Sequence, residues 1–304
     1  SKRPGPLVAD RRVKAPAARA GGAARPPSRR PPRRGGVIGF AAAILRLLWR
    51  TVWGILWRSA AVGAMIVGAV TFYFYAQLPP MADLLDGRAR GSVTLLDRQG
   101  EVFAWRGETF GGNIDAASVA PALRNAIVAA EDQRFFWHLG ISPRGIASAI
   151  AINLREGRGP LEGNGGSTIT QQVAKLLCLG VPYDPAAWES EAAYETDCRR
   201  GTVARKLKEM PYAFALEAKY TKDEILSIYL NRAYLGAGAR GFEAAAQRYF
   251  GKSANQVSVA EAAMLAGLLP APSYFSPTGN LERSQDRANV VVGVSVGTTE
   301  PGHS

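Results

Sequence analysis

Histidine and cysteine are scarce in this chain: two of each among 304 residues, His138 and His303, Cys178 and Cys198. A zinc centre of the usual kind takes three or four such ligands, so no His-based metal site is expected. The GxxxxGK[ST] spacing is absent, which excludes a P-loop. Ser167 has no obvious partner base, so no Ser–His–Asp nucleophile is expected. Strand and helix patterns do not alternate, which argues against a parallel sheet. No internal repeat is visible.

Charge is unevenly spread, and the net +12 misleads as an average. Residues 1–58 hold 14 Lys or Arg and one acid, Asp10, leaving the other 246 residues at −1. Residues 1–36 are rich in Pro, Ala, Gly and Arg, with almost no large apolar side chains. Such a segment cannot bury enough surface to offset its ordering entropy, so it reads as a disordered basic cytoplasmic tail. No aromatic residue interleaves its arginines, so base stacking has no platform and nucleic acid is not an expected partner. A solvated tail that sets topology is the plainer reading, and contact with anionic membrane lipids the sharper one.

From Ser59 to Leu78, 20 residues carry no formal charge. At ~1.5 Å per residue they span a hydrocarbon core of ~30 Å, so 59–78 reads as a transmembrane helix. Phe72, Tyr73, Phe74 and Tyr75 gather at one end like an interfacial belt, and Arg46, Arg50 and Arg58 precede the span. The positive-inside rule then places the N-terminus in the cytoplasm and residues after Pro79 outside. Trp49, Trp53 and Trp57 recur every four residues, so 37–58 reads as an interfacial or juxtamembrane helix. A simple extension of the span is an equal alternative.

Residues 79–117 read as a linker, in which Ser92–Trp105 alternates around Asp97-Arg98-Gln99-Gly100 as a short β-hairpin. After Ser118 the pattern is helical almost throughout, and the expected fold class is mainly α. One helix carries Leu123, Ile127 and Val128 up to Glu131, and others cover 146–154, 168–179 and 202–220. Thr221–Glu224 and Ser258–Glu261 are capping boxes, and Gly251 suits a helix end. Lys222, inside the first box, is expected to face solvent.

The densest chemical signal is Gly165-Gly166-Ser167-Thr168-Ile169-Thr170-Gln171-Gln172, with Lys175 three residues on. Glycines allow close backbone approach, hydroxyls and amides supply neutral hydrogen bonds, and the lysine supplies a point charge for phosphate. The run reads as a loop-to-helix edge that grips a polar, phosphate-bearing ligand. A second cluster, Glu131-Asp132-Gln133-Arg134-Phe135-Phe136-Trp137-His138-Leu139-Gly140, stands upstream. A third is Arg205-Lys206-Leu207-Lys208-Glu209, and a fourth runs from Glu224 through Asn231 to Gly236, Gly238 and Gly241. A fifth pairs Glu261-Ala262-Ala263 with Pro270 and Pro272-Ser273. In this order the five clusters resemble the motifs of the family 51 peptidoglycan glycosyltransferases. These are the glycan-polymerising domains of class A penicillin-binding proteins and the monofunctional transglycosylases.

The resemblance implies a lysozyme-like, two-lobed glycosyltransferase domain over 118–292, preceded by the transmembrane helix and hairpin. It implies lipid II and the growing glycan strand as partners, and release of undecaprenyl pyrophosphate with inversion. Other cell-wall synthesis proteins are further candidate partners. Glu131 would be the general base, with Glu209 the second carboxylate that orients or polarises the reacting groups. Ser167, Thr168, Gln171 and Gln172 would hold the donor sugar and phosphate. Lys175, Lys206, Arg205 and Arg200 would neutralise the pyrophosphate. Asp132, Phe135, His138, Gly140 and Asn231 would shape the motif, with Phe136 and Trp137 packing beside them. No cofactor is named, and a divalent cation is left open. The implied location is the inner membrane, single-pass, with the catalytic domain periplasmic or extracellular.

Within that pattern, 181–200 stands out as an acidic insertion, with Asp184, Glu189, Glu191, Glu195 and Asp197. Cys178 and Cys198 bracket it, and an oxidising compartment would join them. Gly201 falls where the family places an arginine, so Arg199 or Arg200 is the candidate replacement. Pro211 is expected to kink the helix that carries Glu209. SxxK and KTG are absent, and 293–304 diverges from the family, so the chain reads as a truncated class A protein, with a monofunctional enzyme as rival. A lytic glycan hydrolase and a non-catalytic membrane scaffold are the competing functions.

Overall fold

The computed structural model describes residues 37–85, 93–99, 102–106, 109–159, 166–200 and 202–299. The tail 1–36, Gly100, Gly165, Gly201 and residues 300–304 lie outside the described residues, and so do the expectations placed on them. The chain divides into two compact units, 1–58 and 59–304.

Helix α1 runs unbroken from Val37 to Gln77. Its stretch Gly39–Gln77 has a mean hydropathy of 1.6 and is long and apolar enough to cross a membrane. In the first unit Trp49 and Trp53 stack at 6.1 Å, both exposed. In the second, Val62, Met65, Ile66 and Phe72 turn outward. Such a helix has its backbone bonds satisfied internally but needs an apolar surrounding for its side chains. Its end is fastened to the folded domain. Lys219 Nζ donates to the carbonyl of Leu78, Tyr220 OH donates to that of Pro79 at 2.5 Å, and Phe74 meets Tyr212 edge-on at 5.0 Å. A cation at the C-terminal carbonyls also suits the helix dipole.

After the short helix α2 (Met81–Leu85), strands β1 (Val93–Leu96) and β2 (Val102–Arg106) form the antiparallel hairpin. Strand β3 (Thr109–Phe110) pairs in parallel with β4 (Ala239–Arg240) over two residues, a small parallel contact that the residue pattern does not announce. The remainder is helical: α3 (Pro121–Glu131), α4 (Pro143–Arg155), α5 (Ile169–Leu176), α6 (Glu191–Arg199), α7 (Val203–Lys219), α8 (Lys222–Arg232), α9 (Phe242–Phe250), α10 (Val259–Leu268), α11 (Pro272–Phe275) and α12 (Leu281–Thr299). The fold is mainly α.

Helix α8 is buried from Ile225 to Asn231, as befits a helix enclosed by its neighbours. Asn231 explains how it holds polar atoms in the core. Its Oδ1 accepts from Ile114 N at 2.9 Å, and its Nδ2 donates to the carbonyls of Ile114 and Ser227, both at 2.7 Å. Helix α5 packs between α7 and α8, burying Ile169 and Val173, while α10 packs between α3 and α12. The capping boxes at Thr221/Glu224 and Ser258/Glu261 are formed, and Gly251 takes the left-handed conformation after α9. Helix α7 continues through Pro211, whose missing donor concerns the carbonyl of Leu207, a residue 61% exposed.

Helix α5 stops at Leu176, short of the expected Leu179. Cys178 and Leu179 take positive φ, turning the chain toward a disulfide between Cys178 and Cys198, whose Cα atoms lie 5.3 Å apart. That bond closes segment 181–200. Inside it Trp188 and Tyr183 meet Tyr194 edge-on at 5.1 and 5.7 Å, and Tyr194 OH donates to the carbonyl of Val181. Closing a loop with a sequence separation of 20 removes unfolded-state entropy worth on the order of 3 kcal/mol. Replacing both cysteines by serine should therefore speed hydrogen exchange in 181–200 while the exchange of α8 stays slow. Equal protection in both proteins would show that the bond does not hold the segment.

Candidate active site

The C-terminus of α3 and the N-terminus of α5 are held together by one carboxylate. Asp132 receives a hydrogen bond from Ile169 N at 3.1 Å and from His138 Nε2 at 2.9 and 3.0 Å. Gly140 N donates to His138 Nδ1 at 3.1 Å, which places the ring proton on Nε2, facing Asp132. The carbonyl of Gly140 then accepts from Thr168 Oγ1 at 2.6 Å. Gly140 has φ +84°, and a Cβ there would meet Ala213 of α7 at 3.2 Å. Gly166 is tighter still, since a Cβ would lie 2.7 Å from Gly145. The glycines thus let the loop press against α7 and α4.

This clamp puts Glu131 beside Gln172. Gln172 Nε2 donates to Glu131 Oε2 at 2.5 Å, and Tyr229 OH donates to Gln172 Oε1 at 3.2 Å. Burial pushes the Glu131 carboxyl above its ordinary 4.5, and Asp132 adds to the rise. The Gln172 bond and the Arg287 charge oppose it. Burial also raises the Tyr229 phenol, with Glu131 adding to the effect, so Tyr229 stays a neutral donor.

Glu131 opens onto a cleft of about 1400 Å³ shared with Ser167, Gln172, Lys175, Arg205, Lys206 and Glu209. Glu209 is 2% exposed and lies between two cations. Lys206 Nζ bonds its Oε2 at 2.7 Å and Ser167 Oγ at 2.7 Å. Arg205 Nη1 lies 3.2 Å from its Oε1 but out of line, leaving that buried oxygen without an aligned donor among the described residues. Arg205 Nη1 instead donates to the carbonyl of Cys198 at 3.1 Å, tying the disulfide-closed segment to the cleft wall.

Some expected residues stand elsewhere. Thr168 is 1% exposed and does not line the cleft. With Gln171 it forms a capping box that opens α5, so both have backbone partners. Gln171 still reaches the cleft lining. Arg200 follows the end of α6, turns back to Asp197 at 3.5 Å, and is not among the lining residues. Phe135 is fully buried, whereas Trp137 is 89% exposed and packs on little. Lys222 does not face solvent freely. Its Nζ bonds Glu217 Oε1 at 2.7 Å and sits 4.5 Å from the Phe135 ring, and Glu217 also accepts from Thr170 at 2.5 Å. No group of three or more His, Cys, Asp or Glu suited to a metal ion occurs among the described residues.

Residues 100–295 match the family profile described as Transglycosylase. Penicillin-binding protein 1A of Escherichia coli (strain K12) is 36% identical over 231 residues, covering 76% of this chain and 25% of that protein. Penicillin-binding protein 1A of Neisseria meningitidis serogroup A is 34% identical over 249 residues, 82% of this chain and 29% of that protein. A solved structure of penicillin-binding protein 1A from Haemophilus influenzae aligns with TM-score 0.32 and 21% identity, over 68% of this chain and 18% of that one. The chain spans between a quarter and a third of the length of these curated relatives.

A carboxyl with a raised pKa in the fold costs no stability at low pH, where both states are protonated. It costs most above its folded pKa, where both are ionised. Glu131→Gln should therefore melt higher than the parent at pH 8, and the gap should close as pH falls below the ordinary 4.5. A gap that does not change with pH would remove burial of Glu131 as its cause.

Proposed function

The chain belongs to the transglycosylase family, and on that premise we propose that it is a membrane-anchored peptidoglycan glycosyltransferase acting on lipid II. The observation that carries the reading is the shared cleft, with the Glu131 carboxyl, its pKa raised by burial, on one side and a row of cations beside it. Joining two sugars requires removal of a proton from the attacking hydroxyl and stabilisation of a departing phosphate. Glu131 takes the proton from the acceptor hydroxyl, and its raised pKa brings it toward the working pH. Gln172, braced by Tyr229, fixes the carboxylate's direction. The acceptor oxygen attacks the donor anomeric carbon, the bond to phosphate breaks, and the diphosphate leaves toward Lys175, Arg205 and Lys206. Glu209, buried between the last two cations, holds them in place.

Helix α1 supplies the membrane anchor in this reading, with the basic tail 1–36 on the cytoplasmic side. Its end, fixed by Lys219 and Tyr220, brings the cleft to the bilayer surface, where a lipid-linked diphosphate resides. A hydrolase that cuts glycan has no need of such cations, so they favour polymerisation over the lytic alternative.

The test is turnover of lipid II by the purified chain in detergent. Glu131→Gln should lower polymerisation by about 10²–10⁴-fold. Near-parental turnover would remove Glu131 from its role, and release of muropeptides from cell wall would favour the hydrolase. Lys175→Ala should raise the lipid II concentration needed for half-maximal rate more than Lys208→Ala does, because exposed Lys208 lies outside the cleft. Equal kinetics for those two variants would sink the diphosphate assignment.

A further inference from the structure

One charged pair in the cleft has no part in this scheme. Arg240, on β4, lines the cleft with its side chain only 10% exposed. Its Nη2 donates to both carboxylate oxygens of Glu195, at 2.9 and 3.0 Å. Glu195 belongs to α6, 45 residues earlier, inside the segment closed by Cys178–Cys198. The pair therefore joins the inserted segment to the cleft wall formed by β4. The segment has its own disulfide and Tyr183–Trp188–Tyr194 cluster, and Arg205 holds its Cys198 end, so Glu195 can part from Arg240 without the segment unfolding.

A guanidinium binds a carboxylate and a phosphate by the same planar fork. Here it shares one cleft with Lys175, Arg205 and Lys206. Resting on the glycosyltransferase reading, we propose that Arg240 is a further diphosphate-binding residue and that Glu195 is its internal competitor. Segment 181–200 is then a latch that the diphosphate of a lipid-linked substrate displaces. A ligand that must compete with a closed state binds with an affinity reduced by the open fraction. The latch thus favours a ligand carrying enough negative charge to outbid a carboxylate at Arg240, and disfavours a single weak anion.

The experiment is calorimetric titration of the detergent-solubilised full chain with inorganic pyrophosphate. If the latch is closed about nine-tenths of the time, Glu195→Gln should tighten binding about tenfold. Adding Arg240→Gln to Glu195→Gln should abolish the gain. Where that double variant fails to fold, Arg240→Lys with Glu195→Gln, which keeps the charge without the fork, must lose most of it. Equal pyrophosphate affinity in the parent and Glu195→Gln overturns the proposal. So does a gain seen only with short-chain phosphatidylglycerol, which would assign Arg240 to a lipid surface. Lipid II turnover in the same samples separates the two readings. Tightened pyrophosphate binding without turnover removes the glycosyltransferase reading and leaves the latch, while turnover with unchanged binding does the reverse.

Discussion

Much of the site depends on the position of one buried carboxylate, Asp132. It ends α3, accepts from the first backbone N–H of α5, and accepts from His138. Charge-assisted bonds of this kind are worth roughly 1.5–3 kcal/mol each, more than ordinary neutral ones. Their geometric effect matters more. The side chain next to Asp132 is Glu131, and the helix that Asp132 holds carries Gln172 and Lys175. Any slackening of the clamp would separate the acid from its amide partner and from the cation beyond. The adjacent Gly140 carbonyl, taken by Thr168, ties the same loop a second time.

Electrostatics then divides the cleft. Glu131 is half-buried, has an amide rather than a cation as its direct partner, and holds its proton more tightly than a free carboxyl. Glu209 is also buried but lies between Arg205 and Lys206. Two carboxyls in one cleft are thus given different environments by their neighbours, which in the proposed reading suits one to proton transfer and the other to holding positive charge. The row of cations would repel itself without Glu209, and removing Arg205 and Lys206 would leave the buried Glu209 carboxylate uncompensated.

What was legible in the residues is mostly what is local. The boxes at Thr221 and Ser258, the Gly251 ending, the hairpin and the mainly α content follow from spacings of a few residues. Misreadings arose where a side chain answers to a distant partner. Lys222 sits in a capping box that suggests solvent, yet Glu217 at the end of the preceding helix draws it over Phe135. Leu179 fits the apolar period of α5, but the disulfide partner of Cys178 lies beyond the insertion and the helix stops early. Hydroxyls and amides serve caps and ligands alike: Thr168 and Gln171 cap α5, and Gln171 lines the cleft as well. Trp137 was expected to pack, and no local pattern says that the turn after α3 leaves it outside. Arg287 influences Glu131 from α12, more than 150 residues away, and no spacing rule reaches that far.

The inserted segment shows how an addition can be made to bear on a site without disturbing its frame. Its two ends are joined by the disulfide, so the loop adds little to the entropy that folding must overcome. Its aromatic cluster is internal, so it takes little from the core of α5, α7 and α8. Among the contacts that reach from it to the cleft are the Cys198 carbonyl to Arg205 and Glu195 to Arg240, both ending on guanidinium groups. At the cleft, Glu195 offsets the charge of Arg240 and so lowers the cost of gathering like charges there. In the proposed latch it also sets the charge that an incoming anion must exceed. In the proposed latch, Glu195 belongs on the segment rather than on the frame, where it would neutralise Arg240 permanently, as Glu209 does for Arg205 and Lys206.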